Sequence, residues 1–144
     1  MANSTANDIY SRIYKNLIKL IPDIEELELG DGLISCSIKP MSMDLHLDVL
    51  KRNEEKIIIS LAHYYKTEWG DFAACIDMQI CILLKKHMAE VLAYQDRWTY
   101  QRVYVGNRVY PKRKKEFNSY LNQWLRDCLK QGHCLKQEKE VNHG

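Results

Sequence analysis

No apolar run in this 144-residue sequence approaches the ~20 residues needed to cross a bilayer. The N-terminus, MANSTANDIYSR, lacks the basic-then-apolar pattern of a secretory signal. A Gly-rich phosphate loop, a Gly-x-Ser-x-Gly elbow and an HExxH motif are all missing, which weakens the common hydrolases and nucleotide enzymes as assignments. The five cysteines (Cys36, Cys75, Cys81, Cys128, Cys134) are odd in number and irregularly spaced, unlike a disulfide or zinc framework. With no export signal, reduced thiols and a cytoplasmic location are expected. No internal repeat or low-complexity block occurs, and a net charge of only +2 speaks against a general polyanion binder.

What is present describes a globular chain, with 46% hydrophobic and 28% charged residues and length enough to bury a core. One α+β domain is expected over residues 1–135. The remaining segment, 136–144, has no periodicity and is expected to be a disordered tail. Charge is unevenly placed: residues 1–50 hold 4 basic and 8 acidic side chains, whereas residues 101–130 hold 8 basic and 2 acidic. Either an intramolecular charge match or an anionic partner follows from that asymmetry.

The clearest element spans residues 110–132. Phe117, Tyr120, Leu121, Trp124, Leu125, Cys128 and Leu129 recur at helical spacing and share one face. Pro111 suits the first turn, where its missing N–H would have no partner, and Gly132 suits the left-handed position past the end. Lys114, Asn118, Asn122, Arg126 and Lys130 are read as the opposite, solvated face. A second helix is expected over residues 8–21, with Ile9, Tyr10, Ile13, Tyr14, Leu17, Leu20 and Ile21 as its stripe, Asn7 or Asp8 as its cap and Pro22 as its stop.

Between the helices the period changes to two. Strands are expected at 33–38, at 43–50, where Met43, Leu45, Leu47 and Val49 oppose Asp44, His46 and Asp48, and at 56–66. The connection 67–74 keeps Trp69 and Phe72, which should fold back onto the domain. Residues 77–95 fit two templates: Ile80, Leu83, Leu84, His87, Met88 and Val91 suit a helix, while Met78, Ile80, Ile82 and Leu84 alternate as in a strand turning at Lys85-Lys86-His87. A strand at 98–105 would place Trp98, Tyr100, Arg102 and Tyr104 on one face, before a turn at Gly106-Asn107.

The pattern Asn118-x2-Leu121-x2-Trp124-Leu125-x2-Cys128-Leu129-x2-Gly132 resembles the YqiB-like family of bacterial proteins, a domain of unknown function. Tyr14-x-Asn16-Leu17-x2-Leu20-Ile21-Pro22 is similar to that family's opening helix, and Met88-Ala89-Glu90-Val91 with Arg102-x-Tyr104 to its central region. The resemblance spans roughly residues 10–135. It implies a small cytosolic α+β protein with no activity to transfer, and it favours strands for residues 77–95. The sequence departs from the relatives at Lys112-Arg113-Lys114, where they tend to carry Asp-Glu-Lys, and the connection before the last helix looks shorter.

The expected fold is therefore α+β: an antiparallel sheet of about five to seven strands flanked by N- and C-terminal helices on one face. Candidate anion- or partner-binding residues are Arg102, Arg108, Lys112, Arg113, Lys114 and Lys115, because cations at a helix N-terminus sit where its unpaired N–H groups already favour an anion. Glu90, Trp98, Tyr100 and Tyr104 form a candidate pocket, in which the aromatics with Arg102 could stack bases and Glu90 could pair with Arg102. Asp44, His46 and Asp48 read as an exposed polar strand face, and His63 as a hydrogen-bonded core or edge residue. Cys128, His133 and Cys134 lack a second matching pair, so neither a metal nor a cofactor is expected. The leading expectation is a non-enzymatic binding or adaptor module for a protein or small anionic ligand. Nucleic-acid binding through the basic helix start and aromatic strand, or an enzyme with a site near Glu90, Arg102 and Tyr104, are the alternatives.

Overall fold

A computed structural model describes residues 5–35, 43–66, 69 and 72–136, with the backbone alone at 5–8, 65–66 and 72–74. The chain runs α1 (Thr5–Leu20), β1 (Gly32–Ser35), β2 (Asp44–Arg52), β3 (Lys56–Lys66), β4 (Phe72–Leu83), β5 (Met88–Asp96), β6 (Tyr100–Arg102), β7 (Tyr104–Val105), β8 (Arg108–Val109) and α2 (Pro111–Lys130). Strands β1 to β6 form one antiparallel sheet in chain order, and β7–β8 a separate two-stranded hairpin. The architecture is the expected α+β fold with helices at both ends.

Alternation in the strands decides which side of the sheet is buried. Leu45, Leu47 and Val49 of β2, Ile57, Ile59 and Leu61 of β3, and Met78, Ile80 and Ile82 of β4 form the inner face. They join one cluster with Ile13, Leu17 and Leu20 of α1 and Leu121, Trp124, Leu125 and Cys128 of α2. Residues 77–95 are two strands joined at 84–87, where His87 adopts a positive φ of 54° and stacks on Tyr14 of α1. The helical pattern there had a cause. The β4–β5 register shifts between Gln79 and Ile80, leaving Leu92 as an extra residue that breaks the period of two.

Several expectations are corrected. Helix α1 begins at Thr5, so Asn7 and Asp8 lie inside it and not at its cap. Trp69 is 87% exposed, so it does not fold back onto the domain. Tyr120, on the α2 stripe, is half exposed with its ring set edge-on to Tyr94. Asn118, assigned to a solvated face, is buried: its Oδ1 accepts the Val91 N–H at 2.8 Å and its Nδ2 donates to the Lys114 carbonyl at 2.7 Å. The strand expected over 98–105 breaks at the buried Val103, and Gly106, with φ of 59°, turns the β7–β8 hairpin. Gly132 does take the left-handed conformation, with φ of 83°. Beyond it, Leu135 is buried and its N–H bonds the Leu20 carbonyl at 2.8 Å. The expected strand residues 36–38 and, from 137 onward, the expected tail lie outside the described residues.

Candidate anion-binding groove

Helix α2 starts without the usual chemistry of a helix start. Its N-cap, Tyr110, makes no side-chain cap bond, Pro111 occupies the first turn, and no acidic residue follows there. The unpaired N–H groups and the positive end of the helix dipole are therefore left beside Lys112, Arg113, Lys114 and Lys115. At 100° per residue these four cations cannot act as a block. Lys112 points to solvent and reaches Glu116 at 3.9 Å, an exposed pair that contributes little. Arg113 turns back, donating to the Arg102 carbonyl at 3.0 Å with its guanidinium 4.2 Å from the Tyr110 ring centroid. Arg108 also stands over Tyr110, at 5.5 Å.

Lys114 points inward, with its ammonium 5.6 Å from the ring centroids of both Tyr10 and Tyr104. The Tyr104 hydroxyl donates to Glu90 and accepts from Lys114. That bond to Tyr104 raises the Lys114 pKa, holding the ammonium charged, while burial and Glu90 raise the Tyr104 phenol. Glu90 and Tyr104 thus meet, as a candidate pocket requires. Arg102 does not join them as an ion partner: it lies opposite Ala93 in the β5–β6 register, while Glu90 lies opposite Cys81. Trp98 and Tyr100 are 84% and 53% exposed, and the strand break at Val103 lies between them and Tyr104.

Lys114 and Lys115 line a groove of about 530 Å³ between α1 and α2, with Arg12 facing them, Ile9 and Pro111 as apolar surface and the Ser119 hydroxyl at its side. A second recess of about 240 Å³, also lined by Arg12, adds Lys15 and Lys19 from α1 and Arg126 from α2. Asn16 Nδ2 donates to Asn122 Oδ1 at 2.9 Å, tying the helices together there. No carboxylate lines either recess among the described residues. Six cations gathered in concave surface concentrate positive potential more than the same charges spread on a convex one. Sequence reasoning reached Lys114 and Lys115 but missed Arg12, Lys15, Lys19 and Arg126. The spacing of Arg12, Lys15 and Lys19 on one helical face was the available signal.

A second polar cluster lies under the other end of α2. The Trp124 indole N–H donates to His63 Nδ1 at 3.0 Å, which assigns the proton of the neutral ring to Nε2, 3.7 Å from the Cys128 sulfur. His133 is buried beside it, with Nδ1 bonded to the Ser35 hydroxyl at 2.9 Å. Burial, then the charge of His133, lowers the His63 pKa to about 4; burial also lowers that of His133, against the pull of Asp44. Burial pushes the Cys128 thiol up to about 12, as befits a core thiol. Among the described residues no group of three or more His, Cys, Asp or Glu side chains could hold a metal ion.

The two histidines carry a pH prediction. Both folded pKa values lie below the unfolded value of 6.5, so the unfolded chain binds more protons between them. Their contribution is fully present above about pH 6.5 and is lost as pH falls toward the folded values. For His63 the loss should be about 2 kcal/mol, allowing for solvent screening at this partly exposed ring. Urea melts at pH 7.5 and 4.5, repeated on His63→Gln, check it. The variant's amide oxygen still accepts the indole N–H but has no proton to bind, so an equal pH dependence in both proteins would refute the assignment.

A family model described as "Protein of unknown function (DUF1249)" matches residues 16–134. Neither a curated protein nor a solved structure matches the chain.

Proposed function

The chain belongs to the DUF1249 family of proteins of unknown function, and from that footing we propose a non-enzymatic binding module that takes an anionic partner in the α1–α2 groove. The observation that carries this reading is the joining of Arg12, Lys15, Lys19, Lys114, Lys115 and Arg126 around two adjacent recesses that, among the described residues, no carboxylate lines. The preferred partner is an acidic protein segment or a small anion. The two recesses offer cations together with the side-chain amides of Asn16, Asn118 and Asn122. The YqiB-like identity and a bacterial cytosolic setting belong to the same proposal, supported by the residue pattern from Asn118 to Gly132. No helix among the described residues is long and apolar enough to cross a membrane.

Fluorescence anisotropy with a labelled Glu-rich peptide at low salt tests the reading. Combined Lys15→Glu, Lys115→Glu and Arg126→Glu should weaken binding roughly tenfold or more, because each reversal replaces attraction by repulsion. Lys86→Glu, in the β4–β5 turn, should leave it unchanged. Unaltered affinity in the triple variant would remove the groove from the function. Binding of single-stranded RNA in preference to the peptide, lost in that variant, would favour the nucleic-acid alternative. Turnover in a broad hydrolase screen, abolished by Glu90→Gln or Tyr104→Phe, would favour the enzyme.

A further inference from the structure

The sheet has a second concave feature on the face away from the helix-side core, and two irregularities build it. In the β2–β3 ladder the pairing passes from Val49–Ile59 to Lys51–Ile58, leaving Leu50 as an extra residue. In the β4–β5 ladder it passes from Gln79–Ala93 to Ile80–Val91, leaving Leu92 extra. A bulge bends its strand and re-aims a side chain. Both extra leucines line the same cavity of about 380 Å³, a size at the small end of ligand sites. Ile58 and the small Ala93 add apolar surface, while Lys51, Arg102 and Gln79 supply polar groups. Tyr104 completes the lining.

The charges select the ligand. Among the described residues no carboxylate lines this cavity. Two negative groups stand outside the lining: Glu90, which accepts from the Tyr104 hydroxyl and is offset by Lys114, and Asp77, which accepts from the Ser60 hydroxyl at 2.6 Å opposite Ala62. Two cations and a side-chain amide beside leucine and isoleucine surface fit a molecule with an anionic head and an apolar body. We infer that this bulge-built hollow binds a small amphipathic carboxylic acid, its carboxylate on Arg102 and its aromatic or aliphatic body on Leu92, Ile58 and Leu50. Its lining shares no residue with that of the α1–α2 groove, although Tyr104 of the one bonds Lys114 of the other, and the two proposals are tested by different variants.

Isothermal titration with 2-naphthoate, and with its neutral counterpart 2-naphthamide, tests the inference on the full chain. Naphthoate should bind and the amide should bind at least about tenfold more weakly, since a charge-assisted contact is lost. Arg102→Gln should weaken naphthoate by a similar factor, and Leu92→Asp, which places a carboxylate among the apolar contacts, should abolish binding. Where Leu92→Asp lowers the melting temperature, Leu50→Asp at a partly exposed position replaces it. Lys115→Glu should have no effect. Equal binding of acid and amide, no response to Arg102→Gln, loss of binding in Lys115→Glu, or no heat at millimolar probe would each overturn the assignment.

Discussion

Trp124→Ala is expected to lower the free energy of unfolding by roughly 3–5 kcal/mol. The side chain is only 6% exposed and belongs to the cluster that joins α2 to the inner face of the sheet. Truncation removes that apolar surface from the cluster and opens a cavity that a close-packed core closes only in part. It also removes the indole N–H from His63, whose ring meets the indole edge-on at 5.0 Å. Trp124→Phe separates the two contributions: it retains most of the packing and costs about 1 kcal/mol for the lost hydrogen bond, plus a smaller packing penalty. Urea denaturation with both variants is the measurement. A loss under about 1 kcal/mol for Trp124→Ala would show that the side chain is not a core residue.

Asn118→Ala should cost about 2–4 kcal/mol, a large effect for a small polar side chain. Its amide does two jobs. Val91 lies past the last β5 residue that β6 pairs, and beside the bulge at Leu92, so its N–H has lost its regular ladder partner and is met by Asn118. The other end of the amide satisfies the Lys114 carbonyl. Removing both strands a buried donor with no access to water, the costly half of the hydrogen-bond balance. Asn118→Asp should not rescue stability: a carboxylate accepts from Val91 but cannot donate to Lys114, and its charge is buried. Hydrogen exchange at the Val91 amide gives a local readout. Exchange as slow in Asn118→Ala as in the parent would show that the amide is protected by something else.

Asn118 also illustrates where sequence reading stops. At 100° per residue it falls between Leu125 and Leu129, inside the apolar stripe, so reading it as solvated followed its polarity and not its position on the wheel. Its burial depends on a strand almost thirty residues away that carries a bulge. The basic run behaves likewise. Lys112, Arg113, Lys114 and Lys115 are contiguous in sequence, yet the helix sends them to Glu116, to Tyr110 and Arg102, to Tyr104, and into the groove with Arg12. The Trp98, Tyr100, Arg102 and Tyr104 alternation is local too: Arg102 and Tyr104 line one cavity across the break at Val103, while Trp98 and Tyr100 stand exposed outside its lining, a division the period of two does not reveal.

Sequence alone determined the class of the fold, the stop of α1 before Pro22, the range of α2 to within two residues at either end, strands at 43–50 and 56–66, and the inward Leu45, Leu47 and Val49 of the first. These follow from period and punctuation, which are local: side chains recur toward a core every 3.6 or every 2 residues, and proline and glycine act where they stand. Only the tertiary structure decided which cations share a groove, which polar residue is buried and where two bulged ladders hollow the sheet. Those depend on which elements become neighbours and in what register, and a helix or strand pattern read one segment at a time carries no information about its lateral partners.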